Sequence, residues 1–138
     1  MMELEELNHA IVEFYEKLSS WEHDVVREKG LTLPQIHALE ILGIHESMRM
    51  KELANWMGTT TGTLTVLIDR LEKKDYVRRC PHKTDRRSII IELTDTGRQM
   101  FLEHDKLHMQ LTETMVSDLT QEERECLHRC LNTMNKAF

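Results

Sequence analysis

A chain of 138 residues is long enough for one domain with a real core, and 40% hydrophobic against 30% charged residues, with 5 Gly and 2 Pro, describes a mostly helical globular protein. The start Met1-Met2-Glu3-Leu4-Glu5-Glu6 lacks the basic head and apolar run of a secretory signal, no stretch approaches the roughly 20 apolar residues of a membrane span, and the odd set Cys80, Cys126 and Cys130 suits a reducing compartment. A cytoplasmic protein with no membrane partner and with buried, unbridged cysteines is therefore expected. The net charge of −6 opposes a nucleic-acid partner until it is divided: residues 1–58 carry 5 basic and 11 acidic groups, residues 59–98 carry 9 and 6, and residues 99–138 carry 4 and 7. Positive charge is concentrated in one central block.

In chain order, Leu4, Leu7, Ile11, Phe14, Leu18, Trp21 and Val25 repeat at steps of three and four, the stripe of a long amphipathic helix that ends near Gly30. A second helix starts at Thr32-Leu33-Pro34, with Thr32 or Leu33 as cap, and runs through Ile36, Leu39 and Leu42 to Gly43. Met50 to Gly58 reads as a short helix closed by glycine, and Thr59 to Thr61 can cap the next. That helix sets Leu64, Leu67, Ile68 and Leu71 on one face and Thr60, Thr61, Thr63, Thr65, Asp69 and Lys73 elsewhere, which is the outline of a helix-turn-helix. Tyr76–Cys80 and Ser88–Leu93 are β-prone runs around a basic tip, Pro81-His82-Lys83-Thr84-Asp85-Arg86-Arg87, and predict a hairpin wing. A long helix follows to about residue 118, and Thr120-Gln121-Glu122-Glu123 is a capping box opening the last one. The expected fold is mainly α with a small β-hairpin wing: one domain over 1–138, with a winged helix-turn-helix at 31–98 and dimerisation helices at 1–30 and 99–138.

From Leu53-Ala54 through Leu93-Thr94 the chain resembles the MarR family, in the run Asp69-Arg70-Leu71-Glu72, the wing motif Asp85-Arg86-Arg87 and the closing Leu93-Thr94-Asp95-Thr96-Gly97. Two positions depart from the family pattern: Val66 replaces a basic residue common in the middle of the recognition helix, and Asp75 replaces a glycine, a change that costs little because Asp enters the left-handed conformation readily. The resemblance implies a transcriptional regulator, a repressor rather than an enzyme, whose homodimer grips palindromic double-stranded DNA. The first helix, with Cys126, Leu127, Cys130, Leu131 and Met134, offers apolar faces for the dimer. Thr60, Thr61, Thr63 and Thr65 are assigned to major-groove and phosphate contacts, together with Arg70. Arg86 or Arg87 would enter the minor groove, Asp85 would orient the loop, and Arg78, Arg79 and Lys83 would neutralise phosphates. The competing reading of this basic run is a solvated charged hairpin.

His104 and His108 stand four residues apart on the helix after the wing, a spacing that places both imidazoles on one face and suits a metal. They match the zinc-responsive branch of the same family, which adds a histidine near the start of the second helix, here His37, and an acid in the first, here Glu22 with His23 in reserve. That match implies one zinc ion per subunit. The branch's second metal site is not reproduced, since Ile36 replaces one acid and no cysteine lies nearby. The alternative keeps DNA binding and makes the effector a small aromatic or phenolic molecule near Trp21, His37 and His104. A metal-dependent hydrolase is the distant alternative: Glu103-His104-Asp105-Lys106-Leu107-His108 lacks the acid directly after the first histidine of the HExxH arrangement.

Overall fold

Residues 1–85 and 87–138 are described by a computed structural model. Arg86, one of the two expected wing-tip arginines, lies outside the described residues. The chain divides into two compact units, Met1–Phe101 and Leu102–Phe138.

In the first unit, α1 (Leu4–Glu28) opens with a reciprocal Glu3–Glu6 capping box. It ends where Gly30, at φ 70°, turns the chain so that Leu31 N–H reaches the Val26 carbonyl at 3.2 Å. Thr32 is the cap of α2 (Leu33–His45): its hydroxyl accepts from Gln35 N–H, while the Gln35 side chain accepts from Thr32 N–H at 3.1 Å. α2 is the buried axis of this unit, contributing Ile36, Ala38, Leu39, Ile41 and Leu42 to the core. Its interior position explains why it reads as apolar nearly all round.

After α2 comes a short strand the sequence did not announce, β1 (Ser47–Arg49). α3 (Met50–Met57) ends on Gly58 in the left-handed conformation, φ 64°, and α4 (Thr61–Lys73) begins at once behind the Thr60 cap. Leu53 and Ala54 of α3 and Leu64, Ile68 and Leu71 of α4 pack into the common core. β2 (Val77–Pro81) and β3 (Ile89–Leu93) form the hairpin, and β3 is the central strand of the antiparallel order β1-β3-β2. In this register Met48 faces Ile91 and Val77 faces Leu93, all four buried. Asp75 does take a left-handed φ of 63°, just before β2.

α5 (Asp95–Met115) contains the unit boundary, and α6 (Gln121–Asn135) follows behind its Thr120–Glu123 capping box. α5 stops a few residues short of the expected end. Every apolar residue of the buried core lies in the first unit, whereas Leu102, Met109, Leu127, Leu131 and Met134 of the second are exposed on the single chain. Cys126 and Cys130 are likewise exposed and Cys80 is half-buried, so the expectation of buried cysteines fails here because α6 has no core of its own. No helix of the described residues is long and apolar enough to cross a membrane.

Candidate nucleic-acid interface and histidine pair

The N-terminal turn of α4 carries the hydroxyl face. Thr60 Oγ1 accepts from Thr63 N–H at 3.2 Å and donates to Thr63 Oγ1 at 3.0 Å, while Thr65 Oγ1 donates to the Thr61 carbonyl at 2.7 Å. Thr60, Thr61, Thr63 and Thr65 are all exposed, and internal bonds fix three of their hydroxyls in place. Val66 stands on the same open surface. The opposite face, Leu64, Ile68 and Leu71, anchors α4 in the core, so the helix cannot roll without exposing apolar area.

Two arginines expected at phosphates are engaged inside the subunit. Arg79 Nη2 meets Asp69 at 2.6 Å and Nη1 meets Glu72 at 2.9 Å, with the Arg79 side chain only 24% exposed. The acids of the Asp69-Arg70-Leu71-Glu72 run therefore clasp the wing strand to the recognition helix. Arg78, next along β2 and so on the other face of the sheet, pairs with Glu92 at 2.6 Å. Glu92 also accepts from the Cys80 thiol at 3.1 Å. The Arg78 bond holds the Glu92 carboxyl below the usual range, and the bond to Glu92 pushes the Cys80 thiol up. Alternation along β2 was the available signal: of two adjacent residues, one had to face α4. Arg70, Lys83 and Arg87 are exposed and form no ion pair among the described residues.

The wing loop is held by its own polar groups. His82 N–H donates to the Ser88 carbonyl at 2.9 Å, and Asp85 accepts from Arg87 N–H at 3.1 Å and from the Ser88 hydroxyl at 3.0 Å. The Arg87 N–H, then the Ser88 hydroxyl, hold the Asp85 carboxyl below its ordinary value. A groove of about 410 Å³ runs beside the wing base, lined by Arg49, Glu52, His82 and Lys83 among others. A second, of about 380 Å³, lies between the start of α2 and α4, where Pro34, Val66, Leu67 and Arg70 contribute.

In the second unit, His104 is buried and its Nε2 lies 3.1 Å from His108 Nε2, with ring centroids 4.7 Å apart. Bonds of about 2.0–2.1 Å to a tetrahedral zinc would set two nitrogens roughly 3.3 Å apart, so the pair fits the group that its spacing implied. In the first unit, Glu22 is half-buried and a carboxylate oxygen of Glu40 lies within 4.8 Å of one of its own. His37, one turn before Glu40, is exposed, and the His23 ring nitrogen Nδ1 is bonded to the Ser19 carbonyl at 2.8 Å. Glu40 escaped the sequence reading because an acid on a mostly buried helix carries no signal until its facing element is known.

The sequence model of the MarR family matches residues 31–89. The chain is similar to the HTH-type transcriptional regulator YfiV of Bacillus subtilis, 30% identical over 109 residues that span 78% of this chain and 68% of the relative. It is also similar to the HTH-type transcriptional repressor MdtR of the same organism, again 30% identical over 109 residues, covering 79% and 70%. Among solved structures, Streptococcus pneumoniae FabT in complex with DNA superposes with a TM-score of 0.88 at 20% identity, covering 97% of this chain and 96% of that one, a likeness of fold.

Proposed function

This chain belongs to the MarR family of transcriptional regulators, and from that premise we propose that it is a homodimeric, sequence-specific DNA-binding repressor of a palindromic operator. The family regulates transcription and does not catalyse a reaction. The observation that carries the reading is the exposed threonine face of α4, rigidly backed by core residues and flanked by a basic wing whose Lys83 and Arg87 form no ion pair among the described residues. In this reading α4 enters the major groove, where Thr61 and Thr63 meet base edges or phosphates and Val66 offers an apolar surface to a thymine methyl. Lys83 and Arg70 neutralise phosphates, and Arg87, with Arg86, reaches the minor groove. MdtR's designation as a repressor and FabT's complex with DNA support the assignment. A regulator of this kind works in the cytoplasm.

Selection of duplexes from a random pool tests it. The expected outcome is a palindrome whose half-sites sit about one helical turn apart, bound with an affinity that falls steeply with salt. Recovery of no common sequence, with weak binding indifferent to salt, would reject the reading.

For the effector we propose a zinc ion per subunit, with His104 and His108 of α5 as its paired histidine ligands. The 3.1 Å spacing of the two Nε2 atoms supports it. Glu22 and His37, which the resemblance to the zinc-responsive branch adds, lie in the first unit, where Glu22 stands beside Glu40 and His37 is exposed. Bound zinc would hold the His104–His108 turn of α5 in one arrangement and so favour one spacing of the DNA-reading heads. Zinc titrated into metal-free protein should raise affinity for the selected duplex, and His104→Ala should abolish that response. The alternative is a small aromatic ligand, expected from the sequence near Trp21, His37 and His104; the groove beside α4 offers it a different place, where Val66, Leu67 and Pro34 could hold a ring against Arg70.

A further inference from the structure

His82 sits where β2 gives way to the wing tip, and one atom of its ring organises the turn that follows. Its Nδ1 receives the backbone N–H of Thr84 at 3.2 Å and that of Asp85 at 3.1 Å, with the Thr84 hydroxyl also at 3.2 Å. Backbone N–H groups can only donate, so Nδ1 must present a lone pair and the ring proton must be on Nε2. The imidazole here does the work of an Asx side chain in a turn, with its acceptor at the end of a rigid ring.

We propose that His82 is the positioning residue of the wing, its neutral ring capping the turn through Nδ1 and so holding the basic tip in the shape that engages DNA. A proton on Nδ1 would set a donor against two backbone donors, and the turn would open. The inference rests on the DNA-binding reading above for its consequence, although the geometry of the turn does not.

From the loop itself, the Asp85 carboxylate favours an imidazolium, while Lys83 and Arg87 disfavour one. Across the groove at the wing base, Arg49 of β1 opposes protonation and Glu52 of α3 supports it. Whichever way these charges lean, the two backbone donors at Nδ1 can bond only to a ring that presents its lone pair there. The carboxyls of Asp85 and Glu92 are both held below their ordinary range, so they stay ionised throughout mildly acidic conditions and cannot themselves loosen the wing there.

The test uses the full chain and the duplex selected with it, compared across wild type, His82→Ala and His82→Asn from pH 8 to pH 5.5. Asn carries an acceptor oxygen and does not titrate, so it should bind within about twofold of wild type at pH 8, whereas Ala should bind about three- to tenfold more weakly. On acidification wild type should lose affinity relative to Asn. An Ala variant that binds as wild type, an Asn variant as weak as Ala while both melt like wild type, or parallel pH profiles for wild type and Asn would each overturn the proposal. Nitrogen NMR of the imidazole without DNA decides the geometry separately: the Nε2–H tautomer with a bonded Nδ1 is expected, and the Nδ1–H tautomer overturns it. If wild type selects no duplex while the ring shows the expected tautomer, the DNA-binding reading falls and not the positioning of the turn.

Discussion

A Cβ at Gly97 would lie 1.9 Å from the carbonyl oxygen of Tyr76, so the backbone must shift to admit one. Tyr76 O accepts from Thr94 N–H at 3.1 Å, Thr94 Oγ1 donates to the Asp75 carbonyl at 2.5 Å, and Gly97 N–H closes the knot on Thr94 Oγ1 at 3.0 Å. The Leu-Thr-Asp-Thr-Gly run is thus the joint that fastens the end of the sheet to the start of α5. Gly97→Ala should cost about 2 kcal/mol, lowering Tm by roughly 5–10 °C in a calorimetric scan, and an unchanged Tm would show that the joint yields. Cys80 supports a second prediction at this scale. Its thiol is held protonated chiefly by the bond to Glu92, so Glu92→Gln should speed alkylation of Cys80 at pH 8, read site by site by mass spectrometry. An equal or slower rate would mean that the carboxylate does not govern the thiol.

At the scale of elements, the ion-pair clasp between β2 and α4 separates charges that build the wing from charges that meet DNA. Arg79 is mostly covered, yet Asp69 and Glu72 are about half exposed, so solvent screening limits the clasp to about 1 kcal/mol. Arg79→Ala should therefore lower stability modestly and leave the salt dependence of duplex binding nearly unchanged. Lys83→Ala should leave Tm alone and reduce the slope of log affinity against log salt by about one. The opposite pattern would return Arg79 to the phosphates. The periodic elements were legible in the sequence because each writes its own pattern: the stripe of α1, the Thr32-Leu33-Pro34 start of α2, the Gly58 turn and the β-prone runs around the wing. β1 was not, because three residues with only Met48 turned inward make no pattern, and its partner Ile91 lies far along the chain. The roles of Arg78 and Arg79 were hidden for a related reason, since composition shows a basic wing but only the register of β2 against α4 decides which guanidinium faces carboxylates. His82 was read as part of the basic tip, and nothing short of the turn's geometry distinguishes an acceptor ring from a charged one.

For the whole molecule, apolar surface on the single chain is the feature that needs a partner. In the first unit, Leu4, Leu7, Ile11 and Phe14 of α1 are exposed, and in the second Leu127, Leu131 and Met134 line one face of α6, where no residue is buried. The sequence displayed both stripes but could not say whether the chain would cover them itself, a question that burial on the folded chain answers. A homodimer covers such faces and also solves the binding problem, because one winged head offers few phosphate contacts while two linked heads gain the effective concentration of an intramolecular second step. Replacing both Leu127 and Leu131 by Asp puts two charges on a face proposed to be dry, and removes no residue of the first unit's core. The double variant should sediment as a monomer with its far-ultraviolet dichroism largely kept. Its affinity for the full palindrome should then fall at least a hundredfold, toward that for an isolated half-site, which wild type and variant should bind with similar strength. A variant that stays dimeric, or a monomer that keeps full affinity for the palindrome, would remove α6 from the interface and the dimer from the mechanism respectively.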